Sequence, residues 1–140
     1  MTINQSTEDL TPIDINDTSA LNTACMMELE NSKAQDIVSI DVSAQSSLAD
    51  FMVVCSGTSN RHVSAMADRL QKHLAKRGIH GVQISGEREG EWVIVDTGAV
   101  IVHILQPEAR DRYRLEDLYR CMAAGVDPRQ MLPDENEVAL

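Results

Sequence analysis

A chain of 140 residues with 22 acidic and 12 basic side chains is one modest domain with a formal charge of −10. Acid in that excess argues against broad gripping of DNA or RNA, because a polyanion binder must neutralise phosphates with Lys and Arg. No apolar run approaches the ~20 residues that span a bilayer, and the N-terminus has neither a basic start nor a hydrophobic stretch, so a soluble cytoplasmic protein is expected.

The charge is unevenly spread. Residues 1–36 carry seven acids and one base, residues 37–121 eleven and ten, and residues 122–140 four and one, so the ends supply nearly all of the excess. Three cysteines, Cys25, Cys55 and Cys121, are odd in number, far apart and set in apolar surroundings, the pattern of reduced thiols rather than of a disulfide framework.

Residues 1–17 are polar and acidic with weak periodicity and read as a flexible arm. Asp17 or Thr18 can cap a helix running to about Asn31, with Leu21, Ala24, Cys25 and Leu29 along one side. Residues 37–42 read as a strand. The segment Phe51–Ser56 is nearly continuously apolar and β-rich, which suits a strand covered on both faces. Gly57-Thr58-Ser59 ends it, and Ser59 or Asn60 caps the longest helix, where Val63, Ala67, Leu70 and Leu74 recur at helical spacing before Gly78 stops it. Residues 60–77 hold five bases and one acid, so this helix is locally basic. A short strand at residues 82–84 leads into the polar loop 85–91.

Trp92–Asp96 and Val100–Leu105 are two further strands. With Thr97 and Gly98 as central turn residues, Ile94 is set against Ile101 and Trp92 against His103. Strand side chains alternate, so Val93, Val95, Val100, Val102 and Ile104 form an all-aliphatic face, the obvious core. The other face carries Trp92, Ile94, Asp96, Ile101 and His103, a mixture that suits a wet or partner-covered surface. Residues 107–113 and 115–120 read as short helical pieces, and residues 122–140, broken by Gly125, Pro128 and Pro133, as an acidic tail. The predicted architecture is α+β (α/β-like): a mixed sheet of about five strands covered by helices, spanning residues 18–121.

Three patterns invite a chemical reading. The Gly57-Thr58-Ser59 turn between strand and helix could hold an anion at helix N-terminal amides, but it lacks the glycine spacing and the Lys of a nucleotide loop, and ordinary capping accounts for it. Asp96 at a strand end could hold a metal for phosphoryl transfer, which needs two or three converging carboxylates; a turn Asp bonding nearby amides accounts for it more simply. Four histidines and three cysteines contain no Cys-x-x-Cys and no His pair at i, i+4, so neither a metal nor a cofactor is expected. The Trp92 and His103 face is different, because the opposite strand face already supplies the core and Trp and Tyr are residue types that anchor interfaces.

The segments KAQDIVSIDV, ADFMVVCSGTSNRHVSAMAD, GEREGEWVIVD and TGAVIVHILQPEARDRYRLEDLY resemble, in order and spacing, the ribosomal silencing factor (Iojap-related) family over about residues 21–120. The resemblance implies a nucleotidyltransferase-like fold with no established transferase activity, acting by binding. It implies docking on the large ribosomal subunit, through the fourteenth protein of the large-subunit series, where the small subunit would join. It implies that occupying that face blocks subunit association and lowers translation when nutrients are scarce. Gly57, Thr58, Ser59, Arg61 and His62 match the family's GTS-x-R-H segment. Gly86, Glu87, Gly90 and Trp92 match its loop before the Trp strand; Asp96, Gly98 and His103 match its D-x-G-x-V-x-V-H hairpin; and Tyr113, Leu115 and Leu118 match its Y-x-L-E-x-L ending. Ala99 stands where the family usually has Asp, which removes a second carboxylate from the hairpin.

The expected partner-binding residues are Trp92, Ile94, Asp96, Ile101, His103, Glu87, Arg61 and Tyr113, with no catalytic role, little direct RNA contact, no membrane contact, and a homodimer compatible with an apolar strand face. Two other readings stand beside this one: a divergent nucleotidyltransferase-like enzyme using Asp96 and the Gly57 to Ser59 turn, and a homodimeric scaffold without a ribosomal role.

Overall fold

The structure, a computed structural model, describes residues 10–124. Over them the order is α1 (Thr18–Asn31), β1 (Gln35–Asp41), β2 (Phe51–Ser56), α2 (Asn60–Lys76), β3 (Gln83–Ser85), β4 (Trp92–Asp96), β5 (Val100–Leu105), α3 (Pro107–Tyr113) and α4 (Leu115–Ala123). Helix starts follow local chemistry. The Asp17 carboxylate accepts from the Ala20 amide, and the Ser59 hydroxyl accepts from the His62 amide, each satisfying a donor that the first turn leaves unpaired.

The expected mixed sheet has strand order β1-β2-β5-β4-β3. β2 and β5 run parallel at its centre, and the other neighbours are antiparallel. Both central strands are buried on both sides, as the continuous apolar run of β2 requires. On one face α1 and α2 press Leu21, Leu29, Met66, Leu70 and Leu74 onto Val53, Cys55, Val93, Val95, Val102 and Ile104. On the other face α3 and α4 cover only part of the sheet, with Ala109 and Leu115 over Val54 and Leu105, and Tyr119 and Ala123 over Ile40 and Met52.

The β4–β5 turn departs from expectation. Its central residues are Gly98 and Ala99, Asp96 pairs with Ile101, and Trp92 pairs with Leu105. Thr97 is still paired: its amide donates to the Val100 carbonyl at 3.0 Å, its hydroxyl donates to the same carbonyl at 2.7 Å and accepts from the Val100 amide at 3.3 Å. Gly98, at φ +98°, then takes the first turn position, where tight hairpins favour glycine. Because the register moves by two residues and side chains alternate with period two, every residue keeps its predicted face.

Other boundaries shift by small amounts. β1 starts two residues early and is irregular between Gln35 and Val38, where Asp36 sits at φ +51°. β3 lies one residue later than expected. Ile13, expected within the flexible arm, is buried in the core; its amide donates to the Arg77 carbonyl at 2.9 Å, and Arg77 Nε donates to the Thr11 carbonyl at 2.8 Å. α4 continues to Ala123; residues 1–9 of the arm and the tail beyond Ala124 lie outside the described residues.

One ion pair ties the helical end to the sheet. Arg110 on α3 reaches Glu116 on α4 through Nε and the terminal nitrogen at 3.0 and 2.8 Å, and its other terminal nitrogen donates to the Ser56 hydroxyl at 2.9 Å. The two side chains are only 10% and 20% exposed. Between the helices Arg114 adopts φ +51°, the left-handed conformation that reverses the chain. Replacing Arg110 with Met leaves Glu116 shielded from water without its cation, so the unfolding free energy should fall by roughly 2–4 kcal/mol. Urea denaturation of R110M beside the parent chain measures this, and R110M/E116L should recover part of the loss.

Candidate functional site

β4 sits where coverage of the sheet runs out. Its inward side, Val93 and Val95, is fully buried. Its outward side presents Trp92, Ile94 and Asp96, flanked by Ile101 on β5 and by Gln83 and Ser85 on β3. Ile94 and Ile101 are half-buried, and Asp96, Gln83 and Ser85 are exposed. At ~3.4 Å per residue the strip from Trp92 to Asp96 is about 14 Å long.

One end of the strip is aromatic. The Tyr113 ring, 43% exposed, lies 4.7 Å from the Trp92 ring, centroid to centroid. The Arg112 guanidinium sits 5.5 Å from the Tyr113 centroid and is paired with Glu91 at 3.2 Å. The loop before Trp92 approaches the strand closely: a Cβ on Gly86, at φ +84°, would fall 2.3 Å from the Trp92 carbonyl oxygen, so only glycine fits.

His103 lies under this surface and not on it. It is 4% exposed, beneath Trp92 and Tyr119, which corrects the expectation that it meets a partner directly. The cause is α4, whose Leu115 and Tyr119 project one turn apart onto the same patch of sheet. Trp92 Nε1 donates to His103 Nδ1 at 3.1 Å. Indole nitrogen only donates, so Nδ1 carries the lone pair, the proton is on Nε2, and Nε2 donates to the Tyr119 oxygen at 3.3 Å. Burial drives His103 down to about 4 and pushes the Tyr119 phenol up. A neutral imidazole thus fixes the indole plane from below.

The remaining expected residues are not all brought together. Asp96 closes the far end of the strip, where its carboxylate accepts from the Gly98 amide at 2.9 Å. Glu87 is exposed on the 86–91 loop, and the Ser64 hydroxyl of α2 donates to its carbonyl at 2.9 Å. Arg61 is exposed in the first turn of α2, the helix on the opposite face of the sheet from Ile94 and Ile101. Sequence reasoning missed Tyr119 and Arg112 as parts of the site; the Leu115 to Tyr119 spacing was the available signal for the first.

At the Gly57 to Ser59 turn the donors that could cradle a phosphate are already used. Gly57 N donates to the Leu105 carbonyl at 3.0 Å and Thr58 N to His62 Nδ1 at 3.0 Å. A Cβ on Gly57 would lie 2.8 Å from both Met66 Cε and Val63 Cγ2, so the glycine serves close packing of α2. No cluster of three or more His, Cys, Asp or Glu side chains able to hold a metal occurs among the described residues. No helix among them is long and apolar enough to cross a membrane.

Fold and face together define an α+β domain whose sheet is closed by helices on one side and half open on the other. The chain belongs to the ribosomal silencing factor family: the family model described as "Ribosomal silencing factor during starvation" matches residues 15–139. A ribosomal silencing factor of Haemophilus influenzae is 45% identical over 94 residues, covering 67% of this chain and 92% of that one. A mouse protein named "Mitochondrial assembly of ribosomal large subunit protein 1" is 37% identical over 94 residues, 65% of this chain and 41% of that one. A crystal structure of a Chromobacterium violaceum protein superposes with a TM-score of 0.70 at 38% identity, covering 76% of this chain and 87% of that chain.

The buried neutral His103 sets a pH dependence. In the unfolded chain His takes up a proton near 6.5, in the folded chain only near 4, so between these values the unfolded state binds more protons and stability falls with falling pH. The contribution is intact above about pH 6.5 and is lost by about 1–2 kcal/mol at pH 5. H103N lacks the ionisable group, so the stability difference between parent and H103N should shrink by that amount from pH 7.5 to pH 5 in urea titrations.

Proposed function

We propose that this cytoplasmic protein represses translation by binding rather than catalysis: it docks on the fourteenth protein of the large ribosomal subunit, on the face where the small subunit joins, and keeps the subunits apart under nutrient limitation. Family membership supports a silencing role. The observation that carries the docking surface is the Trp92–Tyr113 pair, a half-buried indole under an exposed Tyr ring, continued by half-buried Ile94 on β4 and Ile101 on β5. An apolar centre with polar groups around it is the anatomy of a specific interface, and Trp and Tyr are typical of its energetic centre. Asp96 at one end, with Glu87 and Glu91 on the loop at the other, offers carboxylates to a basic partner, which favours orientation and on-rate. His103 acts from beneath, through Trp92. Arg61 belongs to another face and is not part of this surface.

The enzyme reading has less support, because the Gly57 and Thr58 amides are spent on internal hydrogen bonds and Asp96 belongs to no cluster of three or more His, Cys, Asp or Glu side chains among the described residues. Self-association through the same open strip remains the competing use of the surface, and light scattering with and without large subunits separates the two.

Tyr113 and Ile94 are better probes than Trp92, whose loss would also strip the His103 bracket. Y113A and I94D should each weaken co-sedimentation with large subunits about 10- to 30-fold, with unchanged circular dichroism. In a joining assay, saturating wild-type protein should lower the fraction of full ribosomes formed from purified subunits. No loss of joined ribosomes would refute the silencing mechanism.

A further inference from the structure

α2 carries a second surface, on the side of the sheet away from the aromatic strip. Its core side is set by Val63, Met66, Ala67, Leu70 and Leu74, all buried. At about 100° per residue, Arg61, Lys72, Lys76 and Arg69 fall within an arc of about 80° on the side facing water. All four are exposed. From Arg61 to Lys76 the stripe is about 22 Å long.

The acids that could neutralise it are few and weakly engaged. Asp68 is the one acid on this helix, and it pairs with Lys72 at 3.0 Å with both side chains open to water, 50% and 70% exposed. An exposed pair of this kind is worth at most about 1 kcal/mol and exchanges readily for another anion. Glu28 of α1 faces a different turn of α2, where it pairs with His73. Ser64 and Gln71, on the flank toward β3, are occupied with backbone carbonyls of Glu87 and Val82. A chain of net charge −10 therefore collects four cations on one helix face. Charges beyond about 8 Å are largely screened at physiological ionic strength, so a ligand at this face meets the local sign and not the total.

We infer that the Arg61, Arg69, Lys72 and Lys76 stripe is a second contact surface whose partner is the phosphodiester backbone of large-subunit RNA. Charge complementarity selects this occupant: flexible cations lined up along one helix face, without an aromatic or apolar centre, suit a line of phosphates and lack what anchors a protein interface. The contact is sequence-independent, local, and compatible with a total charge that discourages broad RNA gripping. It rests on family membership for the ribosome as target, and not on which protein the aromatic strip meets.

The test is the salt dependence of binding to purified large subunits. Each phosphate contact contributes about 0.7–0.9 to the slope of log K against log salt. The variant R61Q/R69Q/K72Q/K76Q should therefore bind with a slope shallower by about 3 and, near 0.1 M salt, at least tenfold more weakly, while R61K/R69K keeps the wild-type slope. Binding of the quadruple variant to the isolated fourteenth large-subunit protein should be unchanged. In the unmutated protein, Lys72 and Lys76 should be protected from acetylation when large subunits are bound. A slope equal to wild type, or lysines that stay reactive in the complex, would overturn the inference. Failure of wild-type protein to bind the isolated ribosomal protein would instead count against the docking assignment of the aromatic strip and leave the slope comparison valid.

Discussion

Two parallel strands cannot be joined by a tight turn, and the β2–β5 pairing at the centre of the sheet imposes that constraint on everything around it. The chain leaving β2 must travel back before it can pair again. It does so through α2, which needs a wide apolar stripe to lie on the sheet, and then through β3 and β4, which arrive beyond β5 and fold back onto it. The crossover thereby decides that α2 shares a face with α1 and that β4 ends up one place from the edge. The opposite face receives only Val42 and Ala49 from the β1–β2 connection and the two short helices after β5, which are too little to cover all of it.

Incomplete coverage gives the two sides of the sheet different characters. Under α1 and α2 the strands contribute mostly apolar side chains, together with Ser39, whose hydroxyl donates to Asn22 of α1 at 3.0 Å. Under α3 and α4 there is a graded region: a dry patch at Val54 and Leu105, then a hydrogen-bonded layer of Trp92, His103 and Tyr119, then open strand at Ile94 and Asp96. Polar atoms appear where burial is partial, and each finds a partner of matching donor or acceptor character. His103 can be buried because its two neighbours need one acceptor and one donor, which a neutral imidazole supplies. The Arg110–Glu116 pair holds the covering helices against the end of β2, so the extent of the open strip depends on it.

Much of this was legible in the residues. β2, β4 and β5 have the bounds that their apolar patterns predict, both long helices begin at the expected caps, and the aliphatic side of the hairpin is the core. Periodicity worked there because each segment has one dominant burial direction. It failed where tertiary partners decide. The hairpin turn lies one residue further on, and the cross-strand register shifts by two, because the Thr97 hydroxyl extends the pairing, a local effect invisible to alternation. Alternation alone puts His103 on the surface; its cover comes from Tyr119, sixteen residues later on a short helix whose apolar side the Leu115 to Tyr119 spacing reveals without saying where on the sheet it lands. Ile13 is one of several scattered apolar residues in a polar arm, with Ile3, Leu10 and Ile15, and nothing in their spacing singles it out for the core. Arg61 is a candidate through its match to the family's GTS-x-R-H segment, and the crossover sends its helix to the side of the sheet away from the aromatic strip.

The two outer strands have a consequence for how molecules of this kind can meet. β3 is three residues long, and β1 is kinked by the left-handed Asp36. Each offers an incoming strand too short or too bent a ladder, so growth of the sheet by adding backbone from another chain is disfavoured. Association must then be written in side chains rather than in main-chain hydrogen bonds. Contacts of that kind are selective, since they read shape and charge, and this protein can keep an apolar strip open to water without inviting edge-to-edge stacking.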